Sequence, residues 1–89
     1  MKSHITPRFR KFLERLPEDV RQQAREAYRL FAQDPYHPKL HFKQVHSKRP
    51  IYSARVSYRY RAVGTLEGEV IVWFWIGPHD VYDKLLKQL

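Results

Sequence analysis

The sequence holds no cysteine, one methionine and only three glycines in 89 residues. Without thiols there is no disulfide framework, no zinc ribbon and no thiol chemistry. The glycines, which read as turn or strand-end residues, form neither a dinucleotide-binding nor a P-loop pattern. No serine sits in a nucleophile elbow. The longest nearly apolar run, Val70 to Ile76, is far too short to cross a bilayer. Met1 to Arg8 carries charge with no apolar stretch behind it, unlike a secretory signal. These absences predict one cytoplasmic domain over residues 1–89, with no cofactor and no membrane partner. The most informative absence is of negative charge: no acidic residue occurs between Asp34 and Glu67.

That acid-free stretch holds Lys39, Lys43, Lys48, Arg49, Arg55, Arg59 and Arg61, together with His37, His41 and His46. Over the whole chain, 17 Lys and Arg face nine Asp and Glu, a formal charge of +8. An ordinary surface mixes signs. Segregated charge of this size on a small domain implies an anionic partner: nucleic acid, an acidic protein, or both. The 43% hydrophobic content and 13 aromatic residues give the chain enough large side chains to build a core.

The first half has helical period. Thr6-Pro7 pairs an N-cap with a proline at the first helical position, where a missing N–H costs nothing. Phe9, Phe12, Leu13 and Leu16 follow on one face. Pro17 interrupts the helix and restarts it, with Glu18 and Asp19 at the new N-terminus. Val20, Ala24, Ala27, Tyr28 and Phe31 form a second stripe, ended by Asp34-Pro35. So short a connection predicts an antiparallel helical hairpin. Arg21, Arg25 and Arg29 share a helix face, and Glu18 and Glu26 beside them mark it as a solvated surface. Lys2 to Thr6 suits a short strand.

The second half has the period of strands. Leu40 and Phe42 alternate with Lys39, His41 and Lys43, which predicts a half-buried strand, and Ser47 to Pro50 forms a basic turn. Tyr52, Ala54 and Val56 alternate with Ser53, Arg55 and Ser57, and a turn near Tyr58 leads to a strand over Tyr60–Val63. Leu66 to Glu69 reads as a hairpin turn, and Val70 to Ile76 as a strand covered on both faces. After Gly77-Pro78, residues His79 to Leu89 form a short amphipathic helix carrying Val81, Leu85, Leu86 and Leu89. The predicted class is α+β: an N-terminal helical hairpin on a mainly antiparallel sheet of four strands, five with the N-terminal one, and a short C-terminal helix.

On this pattern Arg55, Arg59 and Arg61 project from the sheet face opposite the helices, joined by Lys39, His41 and Lys43 from the neighbouring strand. Guanidinium groups give paired hydrogen bonds to phosphoryl oxygens, and Tyr58 and Tyr60 lie among them as aromatic surfaces. Lys48 and Arg49 add charge in the basic turn. His79 and Tyr82 follow the tryptophan-rich strand at the mouth of the sheet. Beside a bound phosphate, the imidazole of His79 suits proton transfer. From composition alone, helix capping or a bond to Asp80 is the commoner role for such a histidine. His37 and His41 lack a third ligand, so no metal site is expected.

The ordered set Ala24–Leu30, Asp34-Pro35-Tyr36-His37-Pro38, Leu40–Lys43, Tyr52–Val56, Tyr60-Arg61-Ala62 and Phe74-Trp75-Ile76-Gly77-Pro78-His79 resembles the RelE/ParE superfamily of type II toxins, nearest its ParE-like branch. The resemblance implies the toxin of a toxin–antitoxin system with a cognate acidic antitoxin as partner. RelE-like members cut mRNA on the ribosome by attack of the RNA 2′-hydroxyl on the adjacent phosphate. The resemblance implies that Arg55, Arg61, His79 and Tyr82 are catalytic, and the basic surface makes Lys39, His41, Lys43, Lys48, Arg49 and Arg59 the residues expected to bind nucleic acid. Ser53 stands where RelE has a lysine, and His79 where RelE-like chains often have an arginine. ParE-like members inhibit DNA gyrase without nuclease chemistry, and a non-catalytic basic RNA-binding module is a third alternative.

Overall fold

A computed structural model of the chain describes residues 1–89. Strand β1 (Lys2–Ile5) leads to helices α1 (Pro7–Glu14) and α2 (Glu18–Gln33), and a single 3-10 turn (Pro38–Leu40) follows. Strands β2 (Lys43–Gln44), β3 (Ile51–Ser57), β4 (Tyr60–Glu67) and β5 (Val70–Pro78) precede helix α3 (His79–Gln88). The sheet order is β1-β5-β4-β3-β2, with β1 parallel to β5 and every other pair antiparallel. Fold class and the N-terminal fifth strand agree with the sequence reading. No helix is long and apolar enough to cross a membrane.

The helices begin and end where the local chemistry dictates. Thr6 caps α1 by accepting the Phe9 N–H at 3.0 Å, and Asp34 closes α2. Helix α1 lies against β5 and α2 against β3, so the hairpin leans on the sheet more than on itself. Beneath it Phe9, Phe31, Leu40, Phe42, Ala54, Ala62, Ile71, Trp73 and Ile76 form the main core. Arg21 and Arg25 pair with Glu18 on the outer face of α2, as a solvated surface would.

The opposite sheet face is covered as well. Tyr82, with Leu85, Leu86 and Leu89, packs α3 onto Ile51, Val63 and Trp75. Val81, expected on this apolar stripe, is instead 43% exposed. A bulge in β5 makes the two-sided packing possible. Val63 faces Trp75 while Gly64 faces Trp73, leaving Phe74 as the extra residue. The bulge shifts the alternation, so two tryptophans two positions apart serve opposite cores.

Other sequence expectations fail as well: the hairpin turn read at Leu66 to Glu69 is only Gly68-Glu69, since β4 runs on to Glu67. Residues 39–42 form no strand, and only Lys43 enters the short β2: Pro38 opens the 3-10 turn, and His41 takes a left-handed backbone (φ 45°, ψ 39°). Burial of Leu40 and Phe42 suits a coil crossing the core edge as well as it suits a strand, so alternation over five residues misleads. Gly64 is also no strand-end glycine. It lies within β4 at the bulge, where a Cβ would come 2.8 Å from the Val72 carbonyl oxygen and 2.9 Å from the Trp73 ring. Gly64→Ala is therefore expected to lower stability by about 1–3 kcal/mol through overpacking, read from the midpoint of urea unfolding. An unchanged midpoint would contradict this account of the bulge.

Candidate active site

Three segments meet at one end of the sheet: the Tyr58–Arg59 turn between β3 and β4, the end of β5, and the first turn of α3. They bound an open cleft of about 650 Å³, with Tyr58, Arg59, Tyr60 and Arg61 on one side and Pro78, His79, Asp80 and Asp83 on the other. Backbone bonding ties the two sides together, because the His79 N–H donates to the Arg59 carbonyl at 2.7 Å.

Arg61 fixes the turn. Its Nη1 donates to the carbonyls of Ser57 at 2.8 Å, Tyr60 at 2.9 Å and Tyr58 at 3.4 Å. Nε and Nη2 make no bond to protein. Arg55 is its partner across the β3–β4 ladder. Burial, and after it the repulsion of Arg55, hold the Arg61 guanidinium below the ordinary arginine value, while Tyr82 and Asp83 oppose the shift. The group remains a cation at neutral pH. Two guanidinium groups held side by side and partly desolvated lower their energy by admitting an anion.

His79 is the first residue of α3, with Nδ1 3.3 Å from Asp83 Oδ2 one turn along. The carboxylate thus sits beside the imidazole ring, on its Nδ1 side. His79 neither caps the helix through its side chain nor bonds Asp80, whose Oδ1 takes the Val81 N–H at 2.9 Å. Asp83 escaped the sequence reading. Its signal was the i,i+4 spacing from His79 on a helix, where the two side chains are neighbours. With Asp80 it brings two carboxylates to a cleft that the acid-free stretch had suggested would be wholly basic.

The remaining candidates scatter. Tyr82 is 6% exposed, stacked near Trp75, and its hydroxyl donates to Ser53 Oγ at 3.0 Å. It anchors α3 to the sheet and offers no ring to a ligand. Arg55 lies beside the cleft with its guanidinium carbon 5.8 Å from the Tyr58 ring centre. Arg59 belongs to the turn, and so does not share a strand face with Arg61. Lys39 sits on the 3-10 turn and borders a groove beside α2, and His41 follows it in the left-handed position. Neither lines the cleft, although Lys39 shares the groove beside α2 with Arg55. Lys43 pairs opposite Ser53 on the short edge strand. Lys48 and Arg49 follow His46, whose Nδ1 accepts both of their N–H groups. They lie at the start of β3, about 20 Å from the cleft along a seven-residue strand. The convergence predicted for the whole basic set is thus limited to Arg59, Arg61 and His79 at the cleft, with Arg55 outside it against the Tyr58 ring.

A family model described as the ParE-like toxin domain matches residues 18–84. No curated protein matches the chain by sequence. Among solved structures, the chain is similar to the RelB–RelE antitoxin–toxin complex of Methanococcus jannaschii, with TM-score 0.73 and 18% identity over 91% of this chain and 96% of that one. It is similar also to the RelBE2 toxin–antitoxin complex of Mycobacterium tuberculosis, with TM-score 0.70 and 20% identity over 88% and 96%. The isolated E. coli RelE toxin gives TM-score 0.65 and 19% identity over 98% and 96%. At these identities the structures speak for the fold, and the family model speaks for kinship. The chain belongs to the ParE-like toxin domain family, within the RelE/ParE superfamily of toxins.

Proposed function

We propose that this toxin is an endoribonuclease that cleaves mRNA, on the ribosome as RelE-like toxins do, and that an acidic antitoxin holds it in check. The observation that carries the reading is the shared cleft of Arg61 and His79, which offers uncommitted guanidinium nitrogens and an imidazole to the same ligand. The formal charge of +8 supports both an RNA substrate and an acidic partner.

In this mechanism His79 Nε2 takes the proton of the RNA 2′-hydroxyl, and the oxygen attacks the neighbouring phosphorus. The bond to the 5′-oxygen breaks, leaving a 2′,3′-cyclic phosphate and a 5′-hydroxyl end. Nε and Nη2 of Arg61 meet the charge that builds on the phosphoryl oxygens. Asp83 stabilises the imidazolium formed on the way. The departing oxygen takes its proton from water or from a phenol lining the cleft, Tyr60 being one. No metal or cofactor enters the scheme. Tyr82 and Ser53 act at one remove, by seating α3 so that His79 faces Arg61.

The alternative is inhibition of DNA gyrase without chemistry. Asp80 and Asp83 favour it, since two carboxylates oppose phosphate entry. A supercoiling assay separates the two readings. Under the nuclease reading gyrase works normally in the presence of the toxin, and message on programmed ribosomes is cut. Intact message at high toxin excess would overturn it.

His79→Ala should reduce cleavage by about 10²- to 10⁴-fold, measured by mapping mRNA ends. Folding should survive, because the side chain is 47% exposed. Arg61 differs, for its Nη1 also holds the turn. Arg61→Ala is expected to cost about 1–3 kcal/mol of stability through the freed carbonyls, as well as cleavage. Arg61→Lys keeps the charge but not the fork, and should recover only part of either in parallel unfolding and cleavage assays.

A further inference from the structure

Tyr58 is 78% exposed, the most exposed large aromatic residue of the chain. The other exposed tyrosines have visible employment. The Tyr28 hydroxyl donates to the Ser3 carbonyl at 3.0 Å, and the Tyr36 ring packs 5.5 Å from that of Phe42. Tyr58 has no hydrogen bond through its phenol and no aromatic partner; the cation at its ring is the Arg55 guanidinium, 5.8 Å from the ring centre. Arg55 is in turn the ladder partner of Arg61. Within one turn the fold therefore sets an open aromatic ring, a cation at that ring, and a second cation whose free nitrogens face a cleft holding an imidazole.

That sequence of groups matches one nucleotide and its neighbour. A phosphate on Arg61 places an attached base within the span of the turn, beside the Tyr58 ring. Every base presents a π face, so an exposed ring next to a phosphate site holds unpaired strands with little regard for sequence. A guanidinium at the ring adds cation–π attraction and holds the side chain in place. Paired bases are stacked on one another and present no free face. Arg61 also braces the turn, its Nη1 binding the carbonyls on either side of the ring-bearing residue. The platform is rigid where a loop tip is ordinarily mobile.

We propose that Tyr58, backed by Arg55, is a stacking platform for an unpaired base of single-stranded RNA, adjoining the phosphate held by Arg61. The proposal rests on the ribonuclease reading of the same cleft and adds its substrate class, an unpaired strand. It is tested by binding, with cleavage suppressed by His79→Ala. Three labelled probes are compared at one salt concentration: a short single-stranded RNA of mixed sequence, the same backbone with abasic residues, and the RNA duplex. Adding Tyr58→Ala should weaken the intact strand by about 5- to 150-fold, the range of one stacked base, and leave the abasic strand and the duplex unchanged. Tyr58→Trp should restore binding, and thermal unfolding should not move, since the ring is exposed.

Equal loss on the abasic strand would overturn the platform, as would unchanged binding of intact RNA or failure of the parent to bind RNA at all. Cleavage that persists at the wild-type rate in His79→Ala would instead sink the catalytic reading, and the parent would then be compared on 2′-deoxy-substituted strands that cannot be cut.

Discussion

One guanidinium group holds the end of this sheet together. A two-residue turn joins β3 to β4, and Arg61 Nη1 reaches the carbonyls of Ser57, Tyr58 and Tyr60 around it. The group is fixed there at the cost of partial burial beside Arg55, which destabilises its charge. Its position and its appetite for an anion therefore have the same origin. A flexible lysine at this place would carry the charge without the fork, and the turn would lose its staple. From this one contact follow the rigidity of the turn, the anchoring of His79 to Arg59, and the shape of the cleft.

Helix α3 divides the sheet face opposite the hairpin into two regions. Over the middle, Tyr82 bonds Ser53 and covers Val63 and Trp75, which closes that part of the face to any ligand. At the end, α3 begins and contributes His79, Asp80 and Asp83. A lysine at the position of Ser53 would be buried under this helix and could not remain there charged without a partner. Serine, small and able to accept the phenol of Tyr82, fits the covered site. The open part of this face is accordingly confined to the rim, at the cleft of Arg61 and His79.

Much of the fold was legible because each half of the chain keeps its own period. Thr6-Pro7, Pro17 and Asp34-Pro35 punctuate the helices at the places where they start and stop. Alternation over residues 52–57 put Ala54 inward and Arg55 outward, as the register bears out. What failed was short-range alternation without strand-pairing. Lys39 to Lys43 carry the right pattern over a 3-10 turn and a left-handed histidine. The bulge at Phe74 was invisible for a related reason: Val70 to Ile76 is apolar throughout, so a shift of face leaves no mark in the pattern. At the site, basic-residue chemistry put Arg61 among several arginines, and the family resemblance singled out Arg61 and His79 as catalytic candidates. Asp83 was missed because it lies in a helix read only for its apolar stripe, and the burial of Tyr82 depends on a packing partner 29 residues away.

A shared fold does not fix a toxin's action, so the cleft must be judged by what it binds. The central claim is that phosphate is held at the Arg61 end of the sheet and not at the more crowded basic loop around Lys48 and Arg49. The most direct measurement is side-chain nitrogen NMR of arginine and histidine during titration with an RNA strand blocked by a 2′-deoxy residue. The account predicts that the Arg61 Nε and His79 ring signals shift together and saturate together, while the Arg49 Nε signal stays in place. Shifts confined to Arg49, with Arg61 and His79 unmoved, would contradict it.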